Sequence, residues 1–476
     1  MKNSDQSDIS AHKNYAGRLP AGDEQPLVLK KDGVKHVRRL PNGQCEEILS
    51  VGLACSECFS GRRLAKLLQP GFAYEQKVME DLMSGQYALP LSIHTSGGVS
   101  EALSDFIQAL EPHLPWNNTK DLDWCLSLQL EGASAVWAAI DMLLQNDKAG
   151  RQLVAVGNVS YHGPPSTSFG SRCPLWDKTH QVTYPVPNAG EPFDEVLYMN
   201  NFRSFLDQYE DRVGVLLIEP QWGSSQAAFP WPTKLLQSVV AMTKARGIFV
   251  ICDEIMCGLG RHGRGSIFLS KVLDLDPDAI TFGKAIGGGV YPISGAVVKK
   301  GRDAMNGNGR TAMQSHTYSG SSVRALMTAT EVLREIPNWL PKISKVSEEF
   351  SHIFGYLERI SDGMLITHGQ GLMWGALFSK EGKLRQGEYR NIATSLLRKH
   401  CGDLGVLPYI VPAGGFMVTP VMDIDVGTVY EIGKRLEQVV IRTMRDIQWT
   451  SIRTEISHGE KKLQRVVLPP LRMRFL

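Results

Sequence analysis

Long apolar runs are missing from this chain of 476 residues, and none approaches the roughly 20 residues that a membrane span requires. A strong charge of one sign is missing as well, because 51 basic side chains stand against 49 acidic ones. Such a balance is not typical of proteins that bind nucleic acids or membrane surfaces. The composition therefore predicts an ordinary globular protein with neither a membrane nor a nucleic acid as partner.

Cysteine is scarce, since eight in a chain of this length are too few for a scaffold built on disulfides. Cys55 and Cys58 form one C-x-x-C, but no second pair stands at zinc-ribbon spacing, so we predict no metal site. Two packed or partly exposed thiols are the simpler interpretation, and a redox role is the alternative. Residues 1–26 are polar and lack the apolar core of a secretory signal. Together these features predict a cytoplasmic protein.

Strands and helices alternate through the middle of the sequence. Continuous apolar runs at 212–218 and 247–252 predict strands covered on both faces, as in parallel sheets. Between them, residues 233–246 carry apolar side chains at helical spacing. The same alternation continues elsewhere, with strand-like runs at 153–157 and 278–282 and a helix-like run at 133–144.

This pattern predicts an α/β fold, with a large domain whose sheet is mostly parallel and a smaller α+β domain. The turn at Asn42-Gly43 predicts a hairpin near the N-terminus. Helical patterns at 344–361 and 426–447, with an apolar segment at 371–377, predict the smaller domain. The predicted divisions are a polar tail at 1–26, an N-terminal segment packing with the small domain at 27–84, the large domain at 85–335 and the small domain at 336–476.

Three charged residues stand at the carboxyl ends of predicted strands, namely Glu219, Asp253 and Lys284. Ligands of open α/β sheets bind at that edge of the sheet. We therefore expect the three side chains to meet in one crevice.

Lys284 lies where a predicted strand runs into glycines, which resembles a phosphate-binding P-loop. That motif is excluded because Asp278 stands where it needs glycine and Ala285 where it needs serine or threonine. A lysine in an apolar setting can instead act as an amine nucleophile toward carbonyls. A surface or ion-paired lysine is the alternative.

Asp253 ends an apolar strand, and a buried carboxylate needs a cationic partner. A protonated pyridine nitrogen is one such partner, and it would make the ring a strong electron sink. A structural arginine, such as Arg261 or Arg264, is the other.

Seven short segments, in this order, resemble the class III aminotransferases, which are pyridoxal-phosphate enzymes of fold type I. The similarity covers roughly residues 90 to 440, and its specificity comes from the order of the pieces rather than from any one of them. The segments are 130–135 (LEGASA), 160–163 (SYHG), 217–220 (LIEP), 252–261 (CDEIMCGLGR), 281–289 (TFGKAIGGG), 316–320 (HTYSG) and 368–373 (HGQGLM).

The resemblance implies roles for individual residues. Lys284 would form a Schiff base with pyridoxal 5'-phosphate and then transfer the proton as general acid–base. Asp253 would pair with the pyridine nitrogen, and Tyr161 would stack on the ring face. Glu219 and Met256 lie in the matching motifs and are expected at the cofactor as well.

The phosphate would bind at the start of a helix. Gly132, Ala133 and Ser134 open the helix-like segment, and free backbone N–H groups at a helix N-terminus bind phosphate. In the family, a threonine of the neighbouring subunit completes this site, and Thr317 occupies that position. The resemblance therefore implies a homodimer with shared active sites.

The sequence departs from the amino-acid-specific members of the family. Ser224 stands in place of a glutamate that, in those members, pairs with a late arginine binding the substrate α-carboxylate. No arginine occurs in the corresponding late stretch, 414–420. Loss of both partners indicates a substrate without the usual α-carboxylate contact.

Further departures concern the substrate pocket. Met256-Cys257 resembles the amine-type (ω) transaminases more than the ornithine-type ones. Trp222 is either a wall of the substrate pocket or a structural tryptophan. Arg472 or Arg474 of the C-terminal tail could supply a carboxylate contact, although solvated charges are the simpler interpretation.

The expected activity is a transamination between an amine, ω-amino or atypical amino acid donor and a keto or aldehyde acceptor. A pyridoxal-phosphate aminomutase or decarboxylase on the same fold is the alternative, because fold does not fix the reaction. A non-catalytic relative is disfavoured by the presence of both Lys284 and Asp253.

Overall fold

A computed structural model describes residues 26–52, 56–92, 94–95, 98–116, 124–163, 180–191, 193–299, 322–379 and 387–457. The helices of these residues are α1 (Gly61–Met83), α2 (Glu101–Leu110), α3 (Gly132–Leu144), α4 (Glu195–Tyr209), α5 (Thr233–Ala245), α6 (Leu269–Val272), α7 (Val323–Glu335), α8 (Leu340–Ile360), α9 (Gly387–Asp403) and α10 (Val426–Ser457). No helix within these ranges is long and apolar enough to span a membrane.

The strands of the same residues are short, and most fall into three sheets. They are β1 (Leu27–Asp32), β2 (Lys35–Arg39), β3 (Cys45–Ser50), β4 (His94–Thr95), β5 (Gly98–Val99), β6 (Trp124–Gln129), β7 (Leu153–Gly157), β8 (Gln181–Tyr184), β9 (Val213–Ile218), β10 (Phe249–Asp253), β11 (Ala279–Phe282), β12 (Ser294–Lys299), β13 (Leu365–Gln370), β14 (Met373–Phe378), β15 (Val406–Leu407), β16 (Tyr409–Ile410) and β17 (Gly415–Val418).

The largest sheet has the order β6-β12-β11-β10-β9-β7-β8. Its strands β8, β7, β9, β10 and β11 run parallel, and β12 lies antiparallel to both of its neighbours. Every residue of β9, β10 and β11 is buried, which explains their continuous apolar sequences. The predicted α/β fold with a mostly parallel sheet is confirmed.

The two ends of one predicted strand differ slightly from the observed ones. The strand expected at 247–252 is β10, which begins two residues later and includes Asp253. The shift arises because Gly247 has φ +68° and closes α5 through a bond from its N–H to Lys244 O. Asp253 is the last residue of β10, in agreement with its predicted place at the carboxyl end of this strand.

The N- and C-terminal parts contact each other through a second sheet. The predicted hairpin is formed by β2 and β3, with Gly43 at φ +85° in its turn. Strand β3 then pairs in parallel with β15, which follows α9. A third sheet, β13-β14-β17-β16, packs against α8. The divisions at residues 84 and 335 stay a prediction.

Candidate active site

The carboxyl ends of β9, β10 and β11 bring the three predicted charged residues to one edge of the large sheet. The three strands are parallel neighbours, and Asp253 lies in register with Thr281, three residues before Lys284. Glu219 directly follows β9, in register with the Cys252–Asp253 end of β10. This arrangement is what the carboxyl ends of parallel strands provide.

Asp253 is buried and accepts three hydrogen bonds. Its Oδ1 atom accepts from the backbone N–H of Ile255 at 3.1 Å and from Thr281 Oγ1 at 3.2 Å. Its Oδ2 atom lies 2.7 Å from Nδ1 of His162. These bonds hold the carboxylate in one orientation at the end of β10.

The two arginines considered from the sequence form hydrogen bonds elsewhere, and Arg264 donates from Nη1 to Thr233 Oγ1 at 3.5 Å. Arg261 donates to backbone carbonyls, from Nη1 to Pro420 O at 2.6 Å and from Nη2 to Glu57 O at 3.2 Å. The cationic partner of Asp253 is His162, a residue that sequence reasoning did not assign. The signal for His162 was its place in the 160–163 segment, which begins three residues after the parallel strand β7 ends at Gly157.

His162 is buried between two carboxylates. Burial alone lowers the pKa of the His162 imidazole, but the hydrogen bond and charge of Asp253, with the charge of Glu219, outweigh it. The net effect raises the pKa and favours the imidazolium, which donates to Asp253 from Nδ1. The Nε2 atom of His162 has no hydrogen-bond partner among the described residues.

Glu219 joins the end of β9 to the segment that carries Tyr161. Its Oε1 atom accepts from Tyr161 N at 3.0 Å and its Oε2 atom from Gly223 N at 3.0 Å. Burial raises the pKa of the Glu219 carboxyl, against the opposing charge of His162. Glu219 therefore orients the backbone around Tyr161.

The Tyr161 side chain is 45% exposed. Its ring forms no aromatic contact with any other residue that the structure describes. The ring face is thus available to a planar ligand above the edge of the sheet.

The start of α3 meets the loops around Asp253 and His162. A Cβ at Gly132 would lie 2.7 Å from Ile255 Cδ1, and a Cβ at Gly163 would lie 2.7 Å from Ala133 Cβ. The first N–H groups of α3, those of Gly132, Ala133 and Ser134, have no partner within the helix. They form a ready site for an anion beside Asp253.

Lys284 begins a 3-10 helix, Lys284–Gly287, with an unusual backbone conformation. Its φ of +48° is rare for a residue with a side chain, and such strain is concentrated at functional sites. The Lys284 amine bonds to no residue within the described ranges. A Cβ at the preceding Gly283 would lie 3.7 Å from Gly132 Cα, so the lysine turn packs beside the start of α3.

The other predicted site residues differ in exposure. Met256 is partly buried, with Sδ 2.7 Å from a Cβ built at Gly223. Trp222 is only 1% exposed and stacks on Trp231 and Phe229, with ring centroids at 4.6 Å and 5.7 Å. This burial favours the structural alternative for Trp222. Thr317, Cys55, Arg472 and Arg474 lie outside the described residues.

The late stretch 414–420 has arginines near it in space, although none in sequence. A Cβ at Gly414 would lie 3.1 Å from Cγ of Arg390 in α9, and the Arg261 guanidinium reaches Pro420. The predicted lack of a late arginine for a substrate α-carboxylate concerns residues 414–420 themselves, and it stays a prediction. Sequence order could not reveal either contact.

Comparisons with known proteins agree with this geometry. A family model described as Aminotransferase class-III matches residues 94–413. The mitochondrial acetylornithine aminotransferase of Candida glabrata is 27% identical over 228 residues, which cover 46% of this chain and 50% of that protein. The ornithine aminotransferase of Schizosaccharomyces pombe is 31% identical over 158 residues, covering 32% and 35% of the two chains. The chain thus spans about half the length, or less, of these curated relatives.

Among solved structures, an aminotransferase from Vibrio fluvialis in its PMP-bound form has a TM-score of 0.75 at 16% identity. The match covers 94% of this chain and 100% of the other. This likeness shows the predicted fold, fold type I.

Proposed function

Since this chain belongs to the class-III aminotransferase family, we propose that it carries pyridoxal 5'-phosphate on Lys284 and transfers an amino group. The donor is an amine, an ω-amino compound or an atypical amino acid, and the acceptor is a keto or aldehyde compound. The observation that carries the proposal is the convergence of Lys284, Asp253 and the start of α3 at one edge of the sheet.

The residues present fit this cofactor at each of its functional groups. The N–H groups of Gly132, Ala133 and Ser134 suit its phosphate, and the Asp253 carboxylate suits its protonated ring nitrogen. The exposed ring of Tyr161 suits its face. When bound, the cofactor supplies an electron sink for the carbanion formed at the substrate carbon.

The chain's own part in the chemistry is to hold and move protons. The Nζ atom of Lys284 would take up the proton from the substrate carbon as general base and release it again as general acid. His162 contacts Asp253 Oδ2 through Nδ1 and so fixes the orientation of the carboxylate that would hold the ring nitrogen. Glu219 fixes the backbone of Tyr161, and this keeps the Tyr161 side-chain ring in position.

The substrate class is proposed from the residues beyond β9. Ser224 is partly buried and carries no charge where amino-acid-specific members have a glutamate. A neutral wall favours a donor with no carboxylate beside the reacting carbon. An aminomutase or decarboxylase remains the alternative activity, because the same residues would serve either.

A homodimer with shared sites is proposed from an apolar surface on α1 and the segment after it. Its members are each at least 48% exposed: Phe72, Met79, Leu82, Met83, Tyr87, Leu89 and Leu91. Monomeric proteins rarely leave such a surface open, and a second copy supplying Thr317 would cover it. Met83→Glu combined with Tyr87→Glu should give monomers in sedimentation. The same variant should bind pyridoxal 5'-phosphate more weakly in a titration. Val196→Glu on α4 should change neither result.

A cytoplasmic location is proposed from the cysteines. Cys45, Cys58, Cys252, Cys257 and Cys401 form no disulfide within the described part of the chain, which suits a reducing compartment.

The activity is tested by single-turnover spectroscopy of the purified yellow protein with n-butylamine, β-alanine and L-alanine. A transaminase converts to the colourless amine form of the cofactor, fastest with the donors that lack an α-carboxylate. Release of carbon dioxide with return of the yellow form would establish decarboxylation instead. A protein that binds no cofactor would refute the proposal.

A further inference from the structure

Arg261 contacts three separate parts of the chain around the site. The residue is 1% exposed and lies eight positions after Asp253. Its two terminal nitrogens donate to Pro420 O and Glu57 O, and its own carbonyl accepts from Leu372 N at 2.8 Å. One residue therefore joins the loop after β10 to the N-terminal segment and to two places in the C-terminal part.

The N-terminal segment that Arg261 holds lies against the turn after Lys284. A Cβ at Gly289 would lie 2.7 Å from Glu57 Cγ and 3.1 Å from Glu57 Cα. At the neighbouring Gly288, a Cβ would lie 3.5 Å from Leu64 Cδ1. The backbone near Glu57 therefore forms a wall beside the Lys284 turn.

Hydrogen bonds tie the same segment to residues 419–423, so the two segments form one layer. Met422 N donates to Cys58 O at 2.8 Å, and Thr419 N donates to Val51 O at 2.7 Å. Ser60 N donates to Asp423 Oδ1 at 3.1 Å. The Arg261 guanidinium donates to both segments of this layer, to the Glu57 carbonyl in one and to the Pro420 carbonyl in the other.

We infer that Arg261 is a positioning residue, which fixes residues 56–60 against Gly289 and so sets how tightly an amine substrate binds beside Lys284. This inference rests on the proposed function. A guanidinium is planar and reaches two carbonyls at once, which an ammonium group cannot do in the same geometry. Burial strengthens both bonds, because no water competes for the carbonyls.

The first test compares Arg261→Lys with Arg435→Lys. Arg435 also donates to a backbone carbonyl, Gly405 O at 2.8 Å, and pairs with Glu431, and neither partner belongs to the site. The measurements are hydrogen–deuterium exchange of residues 56–60 and the n-butylamine concentration that gives half the limiting rate of the single turnover. Arg261→Lys should speed the exchange and raise that concentration about tenfold, as expected for one lost hydrogen bond from a charged donor, with little change in limiting rate.

A second pair of variants avoids the buried charge, in case Arg261→Lys does not fold. Gly289→Ala pushes a methyl group into Glu57, whereas Gly363→Ala meets no atom within 4 Å at nearly the same φ, +79° against +78°. Gly289→Ala should reproduce the effect of Arg261→Lys, and Gly363→Ala should only lower stability.

The inference is overturned if exchange of residues 56–60 is unchanged in both Arg261→Lys and Gly289→Ala, or if the two controls change it equally. It is also overturned if limiting rate falls while the half-saturating concentration stays constant. If the unaltered protein holds no cofactor, the proposed function fails by that observation, and the exchange comparison still decides whether Arg261 positions the segment.

Discussion

The Nδ1 atom of His162 lies 2.7 Å from Oδ2 of Asp253, and both side chains are buried. The pair joins the loop after β7 to the end of β10, two strands that do not neighbour each other in the sheet. A charge-assisted bond of this kind is stronger than a neutral one and fixes the carboxylate that faces the site.

His162→Gln should weaken catalysis through Asp253 rather than through lost folding. Without the imidazolium, Asp253 holds the ring nitrogen less strongly, and a lost charged hydrogen bond corresponds to about 10- to 100-fold in rate. The measurement is the limiting rate of the single turnover, with His368→Gln as control. Equal rates for His162→Gln and the unaltered enzyme would contradict this role.

The stability of the cofactor-free protein should depend on His162 and on pH. Because the folded-state pKa of His162 is raised, mainly by Asp253 against the effect of burial, its contribution is full below about pH 6.5. The contribution is lost as pH rises through the folded-state pKa. Urea unfolding should show stability falling over that interval, and His162→Gln should flatten the fall. The same slope in both proteins would exclude His162 as its source.

Glu254 should make the stability of the folded protein depend on pH over a lower pH interval than His162 does. The carboxyl is fully buried and accepts from the N–H and hydroxyl of Ser270, yet burial dominates and raises its pKa to about 7. The folded protein therefore binds this proton more tightly than the unfolded chain does. Stability should fall by on the order of 3 kcal/mol as pH rises from about 4.5 to about 7. Glu254→Gln should remove most of that fall, and an unchanged slope would refute the assignment.

Gly132→Ala should weaken cofactor binding. The added methyl group would overlap Ile255, and overpacking of this kind typically costs about 1–3 kcal/mol, which corresponds to roughly 5- to 150-fold in affinity. Gly402→Ala in α9 meets nothing within 4 Å and serves as the control. Titration of the cofactor-free proteins with pyridoxal 5'-phosphate measures the difference. Cofactor affinity equal to that of Gly402→Ala would show that α3 does not hold the phosphate.

The sequence predicted the elements that local pattern determines. Continuous apolar runs located β7, β9, β10 and β11, since strands buried on both faces need apolar side chains throughout. Lys284 and Asp253 could be placed together because both end neighbouring parallel strands.

Contacts between distant segments could not be predicted from the same patterns. His162 and Asp253 are 91 residues apart, and nothing in their spacing indicates a bond. Arg261 was considered a partner for Asp253, but its guanidinium donates to the carbonyls of Pro420 and Glu57. The burial of Trp222 likewise depends on Trp231 and Phe229, whose stacking a single sequence does not reveal.

The central claim is the covalent attachment of pyridoxal 5'-phosphate to Lys284. Borohydride reduction of the yellow protein, followed by proteolysis and mass spectrometry, locates the attached group directly. We predict a single phosphopyridoxyl modification on the peptide that contains Lys284, and none after Lys284→Ala. A modification on any other lysine, or a protein that binds no cofactor, would contradict the claim.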